Sequence, residues 1–143
     1  MELSLKTNNI INKNYWYMEM AKVVSKRSYC NKAKVGCIVV KNDNIIGIGY
    51  NGTPSGFENI CEINNKTKPE VLHAESNAIM KIAKSNNSSL NADLYCTLSP
   101  CVECAKLIIQ AGIKNVFYIE KYKKIEGLKL LNKAKVKTLQ IIV

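Results

Sequence analysis

The stretch DLYCTLSPCVECAKLIIQAGIKNVFYI, residues 93–119, decides the fold class because it holds a strand, a helix and a second strand in close succession. DLYCTL (93–98) and NVFYI (115–119) are rich in the β-branched and aromatic residues that strands favour. Between them, CVECAKLIIQA (101–111) predicts a helix that ends at Gly112. Strands that alternate with helices are typical of α/β domains.

The alternation continues on both sides of this stretch. Towards the C-terminus, KIEGLKLLNKA (124–134) predicts a helix and KTLQIIV (137–143) predicts a last strand. Towards the N-terminus, KVGCIVV (34–40) and NIIGIGY (44–50) are separated by three polar residues and predict a β-hairpin. The whole order predicts a three-layer α/β/α fold around one mixed five-stranded sheet.

Two more helices and one long loop are predicted in the first half of the chain. Apolar residues at helical spacing predict a helix from Tyr15 to Ser28, and helix-forming residues predict another that begins near His73. The expected buried residues are Trp16, Met20, Val23 and Val24 in the first helix, and Ala78, Ile79, Ile82 and Ala83 in the second. Residues 51–70 are rich in Gly, Pro, Asn and Ser, which predicts a structureless lid or binding loop.

Composition limits the classes of function. A chain of 143 residues fits a single domain, 1–143, with about 1–14 as an N-terminal extension. No apolar run approaches the roughly 18 residues of a membrane span, and the N-terminus lacks the pattern of a secretory signal. We therefore expect a cytoplasmic protein without a membrane partner. The net charge of +10 favours anionic ligands, although the lysines are scattered as on a solvated surface.

The six cysteines do not predict a disulfide framework, because a reducing compartment favours metal binding or burial. Cys37 and Cys96 lie inside apolar strands and are expected to be core residues. Cys101 and Cys104 open a predicted helix just after Pro100. A helix N-terminus lowers the pKa of a thiol, which favours the thiolate that binds metal.

HAESNAIM (73–80) contains the chain's one histidine. Together with Cys101 and Cys104, His73 makes three ligands, and zinc held by three protein ligands keeps a fourth position for water. Glu75 is better placed beside that water, as a proton carrier. A structural histidine and a redox-active CxxC pair are the alternatives. H-x-E followed by P-C-x-x-C, however, is the known pattern of zinc deaminases, and residues 73–75 and 100–104 match it.

Longer stretches of the sequence narrow the assignment from zinc deaminases in general to one family. They are SKRSYCNKAKVGCIVV, IIGIGYNGTPSG, HAESNAIM, LSPCVECAKLIIQAGIKNV and EKYKK. Through them the chain, from about Tyr15 onward, resembles the deoxycytidylate (dCMP) deaminase family of the cytidine deaminase-like superfamily. The resemblance implies a cytidine deaminase-like fold and zinc-dependent hydrolysis of dCMP to dUMP and ammonia, which supplies the precursor of thymidylate.

The resemblance also implies contacts with the substrate. The base carbonyl would meet the backbone N–H of Ala74, and the sugar would meet Asn51. Tyr122 aligns with a tyrosine that contacts the substrate. The phosphate would meet Lys32 or Lys34, although both could equally be solvated lysines at a strand edge.

Some relatives carry a second, structural zinc at the places of Cys30 and Cys61, with a histidine from the intervening insert. This chain has no histidine to spare, so Glu62 or Glu70 would have to substitute, and we expect one zinc. Family members are commonly hexameric and regulated by dCTP and dTTP with Mg²⁺, and the resemblance implies a homo-oligomer with these effectors.

Other functions stay open at this point. A polynucleotide deaminase acting on tRNA or single-stranded DNA would combine the same zinc site with a basic groove. A bifunctional dCTP and dCMP deaminase would accept both nucleotides. A non-catalytic nucleotide-sensing module is disfavoured because Glu75 is intact.

Overall fold

The structure is a computed structural model that describes residues 6–7 and 10–142. The helices are α1 (Lys13–Ser25), α2 (Ala74–Ala83), α3 (Val102–Gln110) and α4 (Glu126–Lys133). The strands are β1 (Lys6–Thr7), β2 (Ile10–Ile11), β3 (Gly36–Lys41), β4 (Asn44–Tyr50), β5 (Glu62–Ile63), β6 (Lys66–Thr67), β7 (Asp93–Leu98), β8 (Asn115–Glu120) and β9 (Lys137–Gln140). Among these residues no helix is both long and apolar enough to cross a membrane.

One sheet of five strands, in the order β4-β3-β7-β8-β9, confirms the predicted architecture. β3 pairs antiparallel with β4 and β7, whereas β7, β8 and β9 run parallel, so the sheet is mixed. The predicted hairpin is present, and Asn42 and Asp43 form its turn with positive φ angles of 50° and 63°. Asn and Asp tolerate this left-handed backbone better than most residues, and a two-residue hairpin turn requires it.

Helices cover both faces of the sheet because successive strand residues point to opposite sides. Cys37 and Val39 of β3 pack in one buried cluster with residues of α2, α3 and α4. Ile38 and Val40 pack on the other face with residues of α1. The expected burial of Cys37 and Cys96 is confirmed, since both thiols are fully buried.

The predicted buried stripe of α1 was wrong in part. Trp16 is 46% exposed and Val23 is 62% exposed, while Met20 and Val24 are half-buried at the margin of the core. The residues that α1 buries are Tyr15, Tyr17, Met18 and Ala21. The tyrosines misled the prediction because they carry a polar group yet pack through their rings: the Tyr17 ring lies 5.2 Å from the ring of Tyr95.

Gly36 fixes the rotation of α1. A Cβ atom at this glycine would lie 2.0 Å from the carbonyl oxygen of Ala21, so the backbones of α1 and β3 touch there. With 100° per residue, Trp16 and Val23 then lie on the opposite side of the helix. In α2, the predicted burial of Ala78, Ile79 and Ile82 is confirmed, whereas Ala83 is exposed at the helix end.

The segment 51–70 is not structureless, which corrects a second prediction. It contains the hairpin β5–β6, whose turn residues Asn64 and Asn65 have positive φ angles of 51° and 65°. The Tyr29 hydroxyl accepts a hydrogen bond from the Thr53 backbone N–H at 2.9 Å. The predicted N-terminal extension lies partly outside the described residues; within it, β1 pairs with β2, and α1 begins at Lys13.

Candidate metal centre and active site

Two helix N-termini meet at the edge of the sheet and bring the predicted ligands together. His73 is the N-cap residue of α2, and Cys101 is the N-cap residue of α3. The turn that carries Cys101 is supported by α4. A Cβ atom at Gly127 would lie 2.1 Å from the carbonyl oxygen of Pro100, so only glycine permits this approach. The sequence pattern that predicts this helix gives no indication of the contact between Gly127 and Pro100.

His73, Cys101 and Cys104 form a compact donor set. The Nδ1 atom of His73 lies 3.4 Å from the Sγ atom of Cys101 and 3.3 Å from that of Cys104. The three donor atoms all lie within 4.8 Å of one another. A tetrahedral zinc with ordinary bond lengths separates a sulfur ligand from a nitrogen ligand by about 3.5 Å. The donor set therefore fits zinc in both chemistry and spacing.

Hydrogen bonds within this cluster shift the pKa values of its members in different directions. The pKa of the Cys101 thiol is lowered to about 3 by hydrogen bonds with Cys104 and with His73. The pKa of the Cys104 thiol is raised, because its proton is held in the hydrogen bond to Cys101 and because it is buried. The hydrogen bond with Cys101 raises the pKa of His73. Cys101 thus holds a thiolate, the form that binds metal.

Glu75 lies in the first turn of α2, where its side chain is only 4% exposed. Burial raises the pKa of its carboxyl group, because the charged form loses its hydration. A hydrogen bond with the Cys96 thiol acts in the opposite direction and is a smaller effect. Cys96 therefore borders the site as well as the core.

A cavity of about 210 Å³ lies beside the metal-ligand cluster and is lined partly by residues of other segments of the chain. Of the residues predicted from the sequence, it is lined by Lys32, Asn51, His73, Ala74, Glu75, Cys101 and Tyr122. The other lining residues are Cys30, Ala33, Val35, Glu62, Thr67, Val71, Leu98 and Ser99. The metal cluster and Glu75 form one end of the cavity, which we call the catalytic end. Lys32, from a loop, and Glu62 and Thr67, from the β5–β6 hairpin, line the other end, which we call the mouth.

The polar atoms of Asn51 hold the backbone of the mouth. Its Oδ1 atom accepts from the N–H of Val35 at 2.9 Å, and its Nδ2 atom donates to the carbonyl of Ala33 at 2.8 Å. The two candidate lysines differ. Lys32 lines the cavity, whereas the Nζ atom of Lys34 donates to the carbonyl of Ser28 at 2.6 Å and Lys34 is not among the lining residues.

Tyr122 is placed by a neighbouring turn. Its backbone N–H donates to the hydroxyl of Ser99 at 2.7 Å, and Ser99 is buried beside the metal ligands. Sequence reasoning did not find Ser99, Thr67 or Val71. Thr67 lies on the segment 51–70, which was predicted to be structureless and gave no signal that it would face the cavity.

Cys30 and Cys61 form a disulfide, which corrects the expectation that none of the six cysteines pairs in this way. Disulfide sulfurs are not thiolates, so in this form the pair offers no anionic ligands for a second zinc. Glu70, the carboxylate considered for that zinc, lies 3.9 Å from the Nζ atom of Lys68. The carboxylate beside the two sulfurs belongs to Glu62.

Comparison with known families assigns the class. Residues 11–120 match the model of the cytidine and deoxycytidylate deaminase zinc-binding region, which accounts for the H-x-E and P-C-x-x-C stretches in one match. The chain belongs to this deaminase family.

Individual relatives are more specific. The chain is similar to dCMP deaminase from the cyanophage S-TIM5, whose structure was determined in complex with dCMP and dUMP. The two sequences are 46% identical and the structures superpose with a TM-score of 0.87, over 89% of this chain and 95% of the cyanophage chain. Deoxycytidylate deaminase of Enterobacteria phage T4 is 34% identical over 75% of this chain and 77% of its own length. The enzyme of Schizosaccharomyces pombe is 39% identical over 75% of this chain, which spans only 37% of that longer protein.

Proposed function

We propose that this protein removes the amino group of dCMP by zinc-dependent hydrolysis, giving dUMP and ammonia. The observation that carries the proposal is the cluster of His73, Cys101 and Cys104 beside the buried Glu75; His73, Cys101 and Glu75 line one cavity. The match to a cyanophage dCMP deaminase over nearly the whole of both chains supports the choice of substrate.

His73, Cys101 and Cys104 hold the zinc in this proposal, and Glu75 carries protons. Bound zinc supplies Lewis-acid activation of a water molecule. Glu75 accepts one proton from the attacking water and delivers it to ring N3, and it then carries the remaining proton of that water to the departing amino group, so that water and dCMP become dUMP and ammonia. Its raised pKa suits this exchange, because a carboxylate that is more basic than usual is a better proton acceptor.

Substrate contacts divide between side chains and backbone. The backbone N–H of Ala74, at the start of α2, is proposed to meet the base carbonyl. Lys32 is favoured over Lys34 as the phosphate ligand because Lys32 lines the cavity and the ammonium of Lys34 already binds the carbonyl of Ser28. The Oδ1 and Nδ2 atoms of Asn51 each make one backbone hydrogen bond and each can make a second, so we propose that Asn51 both shapes the mouth and contacts the sugar.

Further parts of the proposal rest on family resemblance. We propose one catalytic domain over 1–143 that assembles as a homo-oligomer, with a hexamer as the expected state and dCTP and dTTP with Mg²⁺ as effectors. A cytoplasmic location suits a free nucleotide substrate. A tRNA or single-stranded DNA substrate is the alternative that the net charge of +10 permits.

Metal dependence is the direct test of the chemistry. Zinc-loaded protein, chelator-treated protein and chelator-treated protein with zinc restored are each incubated with dCMP while ammonia and dUMP are measured. We expect equal amounts of the two products, loss of both after chelation and recovery with zinc. Turnover that is unchanged after complete removal of zinc would contradict the proposal.

A further inference from the structure

The mouth of the cavity contains a carboxylate that the proposed reaction does not use. Glu62 lines the cavity together with Lys32, and Thr67, its cross-strand partner in the β5–β6 hairpin, lines it as well. Residues of the catalytic end alone supply the chemistry proposed above. Glu62 therefore needs a separate explanation.

The carboxylate of Glu62 is fixed by backbone donors. It accepts from the N–H of Asn31 at 3.1 Å and 3.3 Å, through its two oxygens, and from the N–H of Lys32 at 3.2 Å. Successive backbone N–H groups of this kind form a typical anion-binding concavity. Hydrogen bonds to a charged group are also stronger than those between neutral groups. Glu62 therefore cannot move away from the mouth without losing its hydrogen bonds to two backbone N–H groups, those of Asn31 and Lys32.

The covalent frame holds the hairpin in the same place. Cys61, the residue before Glu62, is bonded to Cys30, which precedes Asn31. The disulfide and the Glu62 contacts thus join the same two chain segments at adjacent positions. The Glu62 carboxylate is therefore held against the backbone of Lys32, the residue proposed to bind the phosphate of a nucleotide.

We propose that Glu62 is a specificity residue that limits this protein to nucleoside monophosphates. A single phosphate at the mouth is offset by Lys32, whereas a second and third phosphate add negative charge beside a fixed carboxylate. Two like charges about 4 Å apart repel by an amount that corresponds to about fivefold in affinity in bulk water and to several hundredfold near a protein surface, so about tenfold is a conservative expectation. This inference rests on the proposed dCMP deaminase function and answers whether dCTP is also a substrate.

The test compares kcat/KM for dCMP, dCDP and dCTP in three zinc-loaded proteins: wild type, Glu62→Gln and Glu58→Gln. Glu58 is the matched control, since it is an exposed glutamate of the same segment and does not line the cavity. We expect wild type and Glu58→Gln to prefer dCMP over dCDP over dCTP. Glu62→Gln should raise the ratio of dCTP to dCMP by about tenfold, with dCDP between them.

Two further measurements separate an effect of the charge at position 62 from an effect of loosened structure around it. Glu62→Asp keeps the charge and should keep the discrimination. Added salt should weaken the discrimination of wild type and leave the ratio of Glu62→Gln nearly constant, because salt screens exposed charges. A ratio that Glu62→Gln leaves unchanged, or a wild type that uses dCTP as well as dCMP, overturns the inference while the deaminase stands. Absence of zinc-dependent dCMP turnover in wild type removes the proposed function itself.

Discussion

The two ends of the cavity are built from different kinds of structure. At the catalytic end, His73 and Cys101 cap helices that rest on the central sheet, so local backbone geometry sets their positions. At the mouth, loop residues are held by long-range contacts, such as the bond from the Asn31 N–H to Glu62, 31 positions away. The cavity is thus rigid where bonds are to be broken and assembled from loops where the substrate is selected.

This difference separates turnover from selection. Changes at the catalytic end should reduce turnover of every substrate alike, because the zinc ligands and Glu75 act on the base that all cytosine substrates share. Changes at the mouth should alter the ratio between substrates, because its groups act on the sugar and phosphate. The following predictions test this division, beginning with the largest expected effect.

Cys104→Ala should lose zinc, activity and stability together. The metal is bound by the folded state, so its binding free energy is also folding free energy. Cys37→Ala is the matched control, because Cys37 is an equally buried cysteine outside the donor set. The checks are zinc per chain by elemental analysis and the unfolding temperature. A metal-free Cys104→Ala protein with full activity is incompatible with the account.

Glu75→Gln should keep zinc and the fold while turnover falls by about 10³-fold, since it removes a proton carrier and no ligand. Glu103→Gln is its control: Glu103 makes an exposed ion pair with Lys106 and does not line the cavity. Zinc content and kcat are measured for both variants. Loss of zinc from Glu75→Gln would place this carboxylate among the ligands.

Lys32→Ala should lower kcat/KM for dCMP by about tenfold and leave deoxycytidine almost unaffected, because a charge-assisted contact with phosphate is lost. Lys34→Ala should have a weaker effect, transmitted through the lost contact with Ser28. Steady-state kinetics with both substrates decides between the lysines. An equal loss on both substrates in Lys32→Ala would assign that lysine to structure and not to phosphate recognition.

The smallest effect concerns stability and pH in the metal-free protein. Burial raises the pKa of Glu75 above its ordinary value of 4.5, so the folded state binds this proton more tightly than the unfolded state. Stability of wild type therefore falls as pH rises from about 4.5 through the raised pKa. Glu75→Gln has no such proton, so its stability should not fall in this way. The difference in unfolding temperature between Glu75→Gln and wild type should grow as pH rises through this range and then stay constant.

Zinc provides the control for that measurement. A bound cation favours the charged carboxylate, so the margin should shrink in zinc-loaded protein. A metal-free Glu75→Gln protein that is less stable than wild type at neutral pH would mean that Glu75 contributes favourable contacts that outweigh its burial.

The same contrast explains what could be predicted from the sequence. His73 and Glu75 are two positions apart and Cys101 and Cys104 are three apart, so short spacing within predicted elements was enough to expect the cluster that the structure contains. The strands of the five-stranded sheet were found for a similar reason, because each carries its own pattern. The contacts of Asn51 with Ala33 and of Glu62 with Lys32 depend on how distant segments fold together, and no local pattern encodes them.

The errors also have physical causes. Trp16 and Val23 were expected in the core because they are apolar and helically spaced, but the close approach of Gly36 to Ala21 turns the other face of α1 inward. The disulfide between Cys30 and Cys61 was not expected, because the predicted reducing compartment favours metal binding or burial of cysteines over disulfides.

The most direct test of the central claim is the ratio of kcat/KM for dCMP to that for deoxycytidine in zinc-loaded wild type, with a cytosine-containing oligonucleotide as a third substrate. Deoxycytidine lacks the phosphate and would leave the donors at the mouth unpaired, so we predict that dCMP is preferred by at least about a hundredfold. The oligonucleotide should be slower than dCMP. Comparable use of deoxycytidine and dCMP, or faster deamination of the oligonucleotide, would contradict the assignment to a mononucleotide.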